Sequence, residues 1–169
     1  MMEKKLTLQR LFCQGGRTVG FLFDEESDFK LFTVERDTLQ GEPKAGQQFI
    51  HYCLPLDEYR LKINAQPDLS YKVKIAVQGY MRHAAFESER DPYKMKPGSV
   101  GVFSDATAFM NLQYDKEALK RLSEYATRLY MQGFWQGKNW VTLEVTEAEG
   151  FEMLKRKADF MDRMVQLME

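Results

Sequence analysis

Residues 115–169 read DKEALKRLSEYATRLYMQGFWQGKNWVTLEVTEAEGFEMLKRKADFMDRMVQLME, and this last third of the chain decides the predicted fold. Apolar residues in its first part recur at steps of three and four, the spacing of one face of an α-helix. This face consists of Ala118, Leu119, Leu122, Tyr125, Ala126, Leu129 and Tyr130. Asp115 can cap the N-terminus and Gly133 can take the left-handed conformation that ends a helix, so we predict a helix over residues 115–132.

The apolar spacing changes to two after this helix and then returns to three and four. From Trp140 to Val145 polar and apolar residues alternate, as in a half-buried strand. Thr146 and Glu149 match an S/T-x-x-E capping box, which predicts that a last helix covers residues 147–168. Its apolar face comprises Phe151, Met153, Leu154, Ala158, Phe160, Met161, Met164, Val165, Leu167 and Met168.

This last helix has two interpretations. An amphipathic helix in a globular domain usually covers the core of its own chain. Flexible thioether side chains also suit adaptable interfaces with other proteins. We therefore take Met161, Met164 and Met168, near the end of this helix, as the candidate partner-binding residues.

The first hundred residues contain a series of strand patterns. Alternating stretches around a glycine turn and an acidic turn predict a three-stranded meander at residues 5–12, 18–23 and 29–35. Further strands are predicted at residues 49–54, 59–63, 71–77 and 100–103. Less regular segments are predicted as a loop (36–47), a helix (80–90) and a turn of helix (104–114).

Together these elements predict an α+β fold in a single domain that spans residues 1–169. Residues 1–103 form its β-rich part, and residues 115–169 form its helix–strand–helix part. We expect an antiparallel sheet of about six or seven strands, with the helices near 115–132 and 147–168 packed on one face.

Composition and charge exclude several classes of protein. Of the 169 residues, 44% are hydrophobic and 13% aromatic, which excludes intrinsic disorder. The 24 basic and 25 acidic side chains nearly cancel, which argues against a protein devoted to coating nucleic acid or an anionic membrane. No apolar run approaches the ~20 residues that span a bilayer, and none follows Lys4 and Lys5 as in a signal peptide. We predict a cytoplasmic protein without a membrane segment, in which Cys13 and Cys53 are reduced thiols.

Metal binding finds little support in the sequence. His51 and Cys53 share a face if residues 49–54 form a strand, but a zinc site needs three or four ligands. The other histidine and cysteine are His83 and Cys13, and no C-x-x-C or H-x-x-x-H spacing occurs among the four. We predict no metal site and no cofactor.

The sequence also lacks a strong catalytic motif. No G-x-S-x-G, P-loop or G-x-G-x-x-G segment occurs, and nucleophilic catalysis of the Cys–His or Ser–His kind would need His51 or His83 as its base. If residues 80–90 are helical, Glu87 lies one turn from His83 and could orient it. We assign no catalytic residue. A small hydrolase or transferase stays open as an alternative, with an active site near these histidines that residues 36–47 and 79–98 would line.

Three short segments of the first sixty residues share a pattern with a known family. They are TVGFL at residues 18–22, VERD at 34–37 and LPLDEY at 54–59. They resemble the T-[IV]-G-x-L, L/V-E-D-like and I-P-x-G-x-Y segments of the phage and bacterial domain of unknown function 5675. The I-H-x-G-N segment of that family is missing, because residues 100–104 read VGVFS, and its G-C pair is missing as well. The resemblance implies a β-rich N-terminal fold and a phage-related or accessory origin, without the chemistry of the missing residues.

The leading hypothesis is a non-enzymatic protein-binding or assembly module, whose partner is another protein or a second copy of the chain. The second is the hydrolase or transferase described above. The third is a single-stranded nucleic-acid binder, because Arg60, Lys72 and Lys74 lie on strand faces among aromatic residues. The negative charge of Glu58 reduces the positive charge of that patch, so nucleic acid is the least favoured partner.

Overall fold

The structure is a computed structural model, and it describes residues 4–36, 53–63, 71–111, 115–135, 137 and 140–169. Within these residues the strands are β1 (Lys5–Gln14), β2 (Arg17–Phe23), β3 (Lys30–Arg36), β4 (Glu58–Ile63), β5 (Val73–Ala76), β6 (Ala85–Glu87), β7 (Val100–Phe103) and β8 (Val141–Met153). The α-helices are α1 (Ala106–Met110), α2 (Lys116–Trp135) and α3 (Lys157–Met168). Short 3-10 helices cover Gly79–Met81 and Pro92–Lys94. None of the described helices is long and apolar enough to cross a membrane.

The strands form a closed barrel in the order β1-β2-β3-β7-β6-β5-β4-β8, with β8 beside β1. The β1–β8 and β6–β7 pairs are parallel, and the other pairs are antiparallel. The predicted α+β fold, with an open antiparallel sheet and two helices on one face, is therefore wrong. Closure is the physical reason, because pairing the first strand with the last leaves no sheet edge exposed.

Strand β8 accounts for the main error in the C-terminal third. It runs parallel to β1 from Lys5↔Thr142 to Cys13↔Met153, with an irregularity after Arg10. The residues of the predicted capping box lie inside this strand, and α3 begins only after Arg156, which makes no side-chain cap. A cap contributes about 1 kcal/mol, so a ladder of strand hydrogen bonds outweighs it.

Helix α2 confirms the helix predicted over residues 115–132. Its predicted apolar face is buried or half-buried, and Asp115 accepts a hydrogen bond from the Ala118 amide at 3.0 Å. The predicted stop is wrong, because Gly133 is buried inside the helix, which continues to Trp135. The left-handed glycine is Gly137, whose φ is 81° and whose amide donates to the Phe134 carbonyl.

The helix predicted over residues 80–90 is also wrong. The chain makes a 3-10 turn and then enters β6, in which Phe86 is buried and pairs with Val73 on one side and Val100 on the other. The barrel needs this short strand to join β5 to β7. The predicted strands at residues 5–12, 18–23, 29–35, 59–63, 71–77 and 100–103 are confirmed, as is the helical turn within residues 104–114. Most of the predicted strand at 49–54 and nearly all of the loop at 36–47 lie outside the described residues.

Two apolar clusters hold the fold together. The first fills the barrel and includes Leu122 and Leu129 of α2. The second lies on the outer face of β1–β3 and β7, where Phe109 of α1 and Phe160 and Met164 of α3 cover it. Burial on both faces explains why the burial pattern of β3 shows no alternation of exposed and buried residues.

Candidate binding surface

A groove of about 490 Å³ lies between the start of β1, the β2–β3 turn and α2. Its lining contains both positively and negatively charged side chains. Each of these three elements contributes polar groups to it. The lining residues are Lys4, Lys5, Thr7, Asp24, Glu25, Glu26, Ser27, Tyr125, Arg128, Leu129 and Gln132.

A hydroxyl network fixes the β2–β3 turn to α2 at this groove. The Tyr125 hydroxyl donates to Asp24 Oδ2 at 2.5 Å and lies 2.6 Å from Ser27 Oγ, which can donate to it in turn. The Tyr125 ring stacks on Phe29 with centroids 4.1 Å apart. Burial, followed by the hydrogen bond to Asp24, raises the pKa of Tyr125, so the phenol stays a protonated donor near neutral pH.

The cations beside the groove are also held in place. Lys5 Nζ lies 2.6 Å from Glu144 Oε2, and this hydrogen bond raises the pKa of Lys5. The Arg128 guanidinium lies 5.4 Å from the centre of the Tyr125 ring. The groove therefore offers fixed positive and negative groups and neutral hydroxyls, which suits the binding of a charged, extended ligand.

Exposed apolar side chains continue from the groove along the last turns of α2. Met131 is 46% exposed, Phe134 is 51% and Trp135 is 80%. The helical spacing places Met131 and Trp135 on the same side as Arg128, one and two turns further along. The Phe134 and Trp135 rings contact each other edge to face, with centroids 6.0 Å apart. We call Met131, Phe134 and Trp135 the α2 strip.

The structure separates the three methionines predicted to bind a partner. Met164 is fully buried in the outer cluster, Met161 packs half-buried against that cluster, and Met168 is 36% exposed. A partner would reach Met164 only if α3 moved away from the barrel. The role of these residues in partner binding stays a prediction.

The structure does not bring the candidate catalytic residues, or the candidate nucleic-acid-binding residues, together into a site within the described part of the chain. His51 lies outside the described residues, and His83 is exposed in the turn after the first 3-10 helix. The proposed one-turn spacing of His83 and Glu87 fails, because Glu87 belongs to β6. Arg60, Lys72 and Lys74 are exposed, and Arg60 lies 4.3 Å from the centre of the Trp140 ring. In the described part of the chain, no group of three or more His, Cys, Asp or Glu side chains could hold a metal ion.

Sequence reasoning missed a buried ion pair inside the barrel. Arg10 donates from Nε and Nη2 to the two carboxylate oxygens of Glu35 at 3.0 and 2.9 Å, and from Nη2 to the Leu54 carbonyl at 2.6 Å. Burial alone would lower the pKa of Arg10, but the Glu35 carboxylate more than offsets it, so the pKa is raised. The signal was present, since Arg10 continues the inward alternation of Leu6 and Leu8. Neither side chain lines the groove.

Comparisons with known proteins assign no relative to this chain. No protein-family model, no curated protein and no solved structure matches it.

Proposed function

We propose that this protein is a cytoplasmic, non-enzymatic binding module that holds a polypeptide segment along the groove and the α2 strip. The observation that supports it most directly is the 80% exposure of Trp135 in contact with Phe134 and beside a charged groove. Tryptophan, tyrosine and arginine dominate the binding energy of protein interfaces, and the groove and strip present all three. A phage-related or accessory origin, implied by the resemblance of the first sixty residues, belongs to the same proposal.

The chemistry of the surface defines the class of partner. The α2 strip would cover an apolar side chain of the partner, because burial removes both apolar surfaces from water. The groove would accept flanking charged residues, acidic ones near Lys4 and Arg128 and basic ones near Glu25 and Glu26. We therefore expect a segment in which charged residues of both signs flank one or two large apolar residues.

The alternative functions have less support. His83 is exposed, and Glu87, its predicted orienting partner, belongs to strand β6 and not to a helix shared with His83. The basic residues Arg60, Lys72 and Lys74 gain no additional support from the described structure, because Arg60 covers an aromatic ring that a base would otherwise stack on.

Paired surface substitutions test the proposal. Tagged full-length protein is used to capture partners from a native lysate, and the captured proteins are quantified by mass spectrometry. The Met131→Ser/Trp135→Ser variant removes the α2 strip, and the Val165→Ser/Met168→Ser variant removes exposed apolar residues of α3 as a matched control. We expect the first variant to lose capture of a specific partner by about tenfold or more, and the control to retain it.

Cross-linking and a mass measurement in solution complete the test. A photoreactive side chain at Gln132, which lines the groove, should cross-link the same partner, whereas one at exposed Lys116 on the first turn of α2 should not. A concentration-dependent dimer that the strip variant abolishes would identify the partner as a second copy of the chain. Capture that is unchanged in the strip variant and lost in the α3 variant would move the interface to Met168.

A further inference from the structure

Three arginines gather at one end of the outer face of the barrel. Arg17 and Arg36 are directly opposite each other on β2 and β3, so their side chains leave the same face of the sheet. On that face they follow the apolar pairs Phe21↔Phe32 and Val19↔Val34. Arg90 approaches from the segment after β6, and burial, followed by the positive charge of Arg17, lowers the pKa of Arg90. We call Arg17, Arg36 and Arg90 the arginine cluster.

Two members of the cluster are positioned by the surrounding structure. Arg36 donates to the carbonyls of Pro92 and Tyr93, both at 3.1 Å, and its guanidinium lies 4.7 Å from the centre of the Tyr93 ring. A Cβ atom at Gly16 would overlap the Tyr93 hydroxyl, so the β1–β2 turn keeps this ring in place. The Arg90 guanidinium lies 5.2 Å from the centre of the Phe109 ring. A ligand would therefore meet cations that are already ordered, which lowers the entropic cost of binding.

Two of these positive charges have no compensating carboxylate among the described residues. In the part of the chain that the structure describes, Arg17 and Arg90 form no ion pair with a carboxylate. Arg90 Nε is buried and has no hydrogen-bond partner within the same residues. The adjacent carboxylates are engaged elsewhere, since Glu89 accepts from the Asp91 amide at 3.1 Å and Asp91 from the Tyr93 amide at 3.0 Å.

We propose that the arginine cluster binds a phosphate group. Like charges that face each other across a strand pair repel, and a dianion between them converts that repulsion into attraction. Planar guanidinium groups donate paired hydrogen bonds to oxyanions, and a phosphate oxygen would supply the acceptor that Arg90 Nε lacks. The phosphate comes from free inorganic phosphate or from a mononucleotide, which present the same group. The cluster shares no residue with the groove or the α2 strip, so this inference stands apart from the proposed function.

Calorimetric titration of the full-length protein tests the inference. Inorganic phosphate and adenosine monophosphate are added at neutral pH, at an ionic strength fixed with sodium chloride. We expect saturable binding of phosphate by the wild-type protein and at least ~10-fold weaker binding by Arg17→Gln/Arg90→Gln, because two charge-assisted hydrogen-bond donors are lost. Arg82→Gln/Arg121→Gln, which removes two positive charges from exposed arginines outside the cluster and the groove, should bind phosphate like the wild type.

The two titrations distinguish free phosphate from a nucleotide as the natural ligand. Adenosine monophosphate that binds more tightly than phosphate indicates a nucleotide, and equal affinities indicate the free ion. If the double variant fails to fold by circular dichroism, the comparison is made with the Arg17→Gln variant, since Arg17 makes no hydrogen bond through its side chain within the described residues. Phosphate heats no larger than those of added chloride, or wild-type affinity in a folded variant, would overturn the inference.

Discussion

At the scale of single residues, the Arg10–Glu35 pair gives the clearest prediction. Both side chains are 2% exposed, so each charge depends on its partner inside the barrel. Arg10→Met or Glu35→Gln should lower the free energy of unfolding by about 3–5 kcal/mol, because a buried charge is left without its counter-ion. The Arg10→Met/Glu35→Leu double variant should lose much less free energy of unfolding than the two single variants lose together. Urea denaturation monitored by circular dichroism measures all three, and single variants that cost under ~1 kcal/mol would contradict the geometry.

Tyr59 gives a prediction in alkaline solution. Burial, followed by the charge of Asp57, raises the pKa of Tyr59 to about 12, and its hydroxyl donates to the Pro55 carbonyl at 2.7 Å. Since an unfolded tyrosine loses its proton near pH ~10, this contribution to stability is fully present below that pH. It is lost as the pH rises through about 12.

Tyr59→Phe should flatten the loss of stability over this pH range. It should also remove one late step from the absorbance titration of the 8 tyrosines. Urea denaturation at several alkaline pH values gives the first quantity, and ultraviolet absorbance gives the second. A variant whose pH profile is identical to that of the wild type would show that Tyr59 is solvated.

At the scale of elements, α2 and α3 stabilise different clusters. Leu122 is fully buried in the interior cluster, and Met164 is fully buried in the outer one. Leu122→Ala and Met164→Ala should each cost about 2–5 kcal/mol, the usual range for truncation of a buried side chain. Because the two sites share no cluster, the double variant should be additive within about 0.5 kcal/mol. A larger coupling energy, from denaturation of all four proteins, would mean that the two helices share one core.

The same elements show what could be predicted from the sequence. The meander and α2 were predictable because their apolar spacing is local, and Asp115 and the buried face of α2 appear as expected. The strand character of residues 147–153 was not, because Thr146 and Glu149 carry a local helix-cap signal whereas β1, the strand that pairs with β8, lies near the other end of the chain. For the same reason Arg10 could be placed inside by alternation, but Glu35 could not be identified as its partner. The sequence pattern did not indicate Trp135 as a binding residue. A residue outside the apolar face of a helix is normally exposed, so its exposure carries no signal.

At the scale of the whole molecule, the position of the binding surface follows from barrel closure. Strand β8 pairs with β1 and β4 at once, and this places the start of β1 beside the groove and directs α2 across the interior cluster. The C-terminal turns of α2 then remain outside the core, with Trp135 exposed. If the first half of β8 did not pair with β1 and β4, the sheet would have open edges at both of these strands.

Nuclear Overhauser contacts between the backbones of β1 and β8 test this closure most directly. The closed barrel predicts contacts in parallel register from Lys5 with Thr142 through Leu8 with Val145, together with extended-chain chemical shifts from Glu147 to Met153. Helical chemical shifts over Glu147 to Met153, with no contact between Leu8 and Val145, would contradict the barrel and the binding surface built on it.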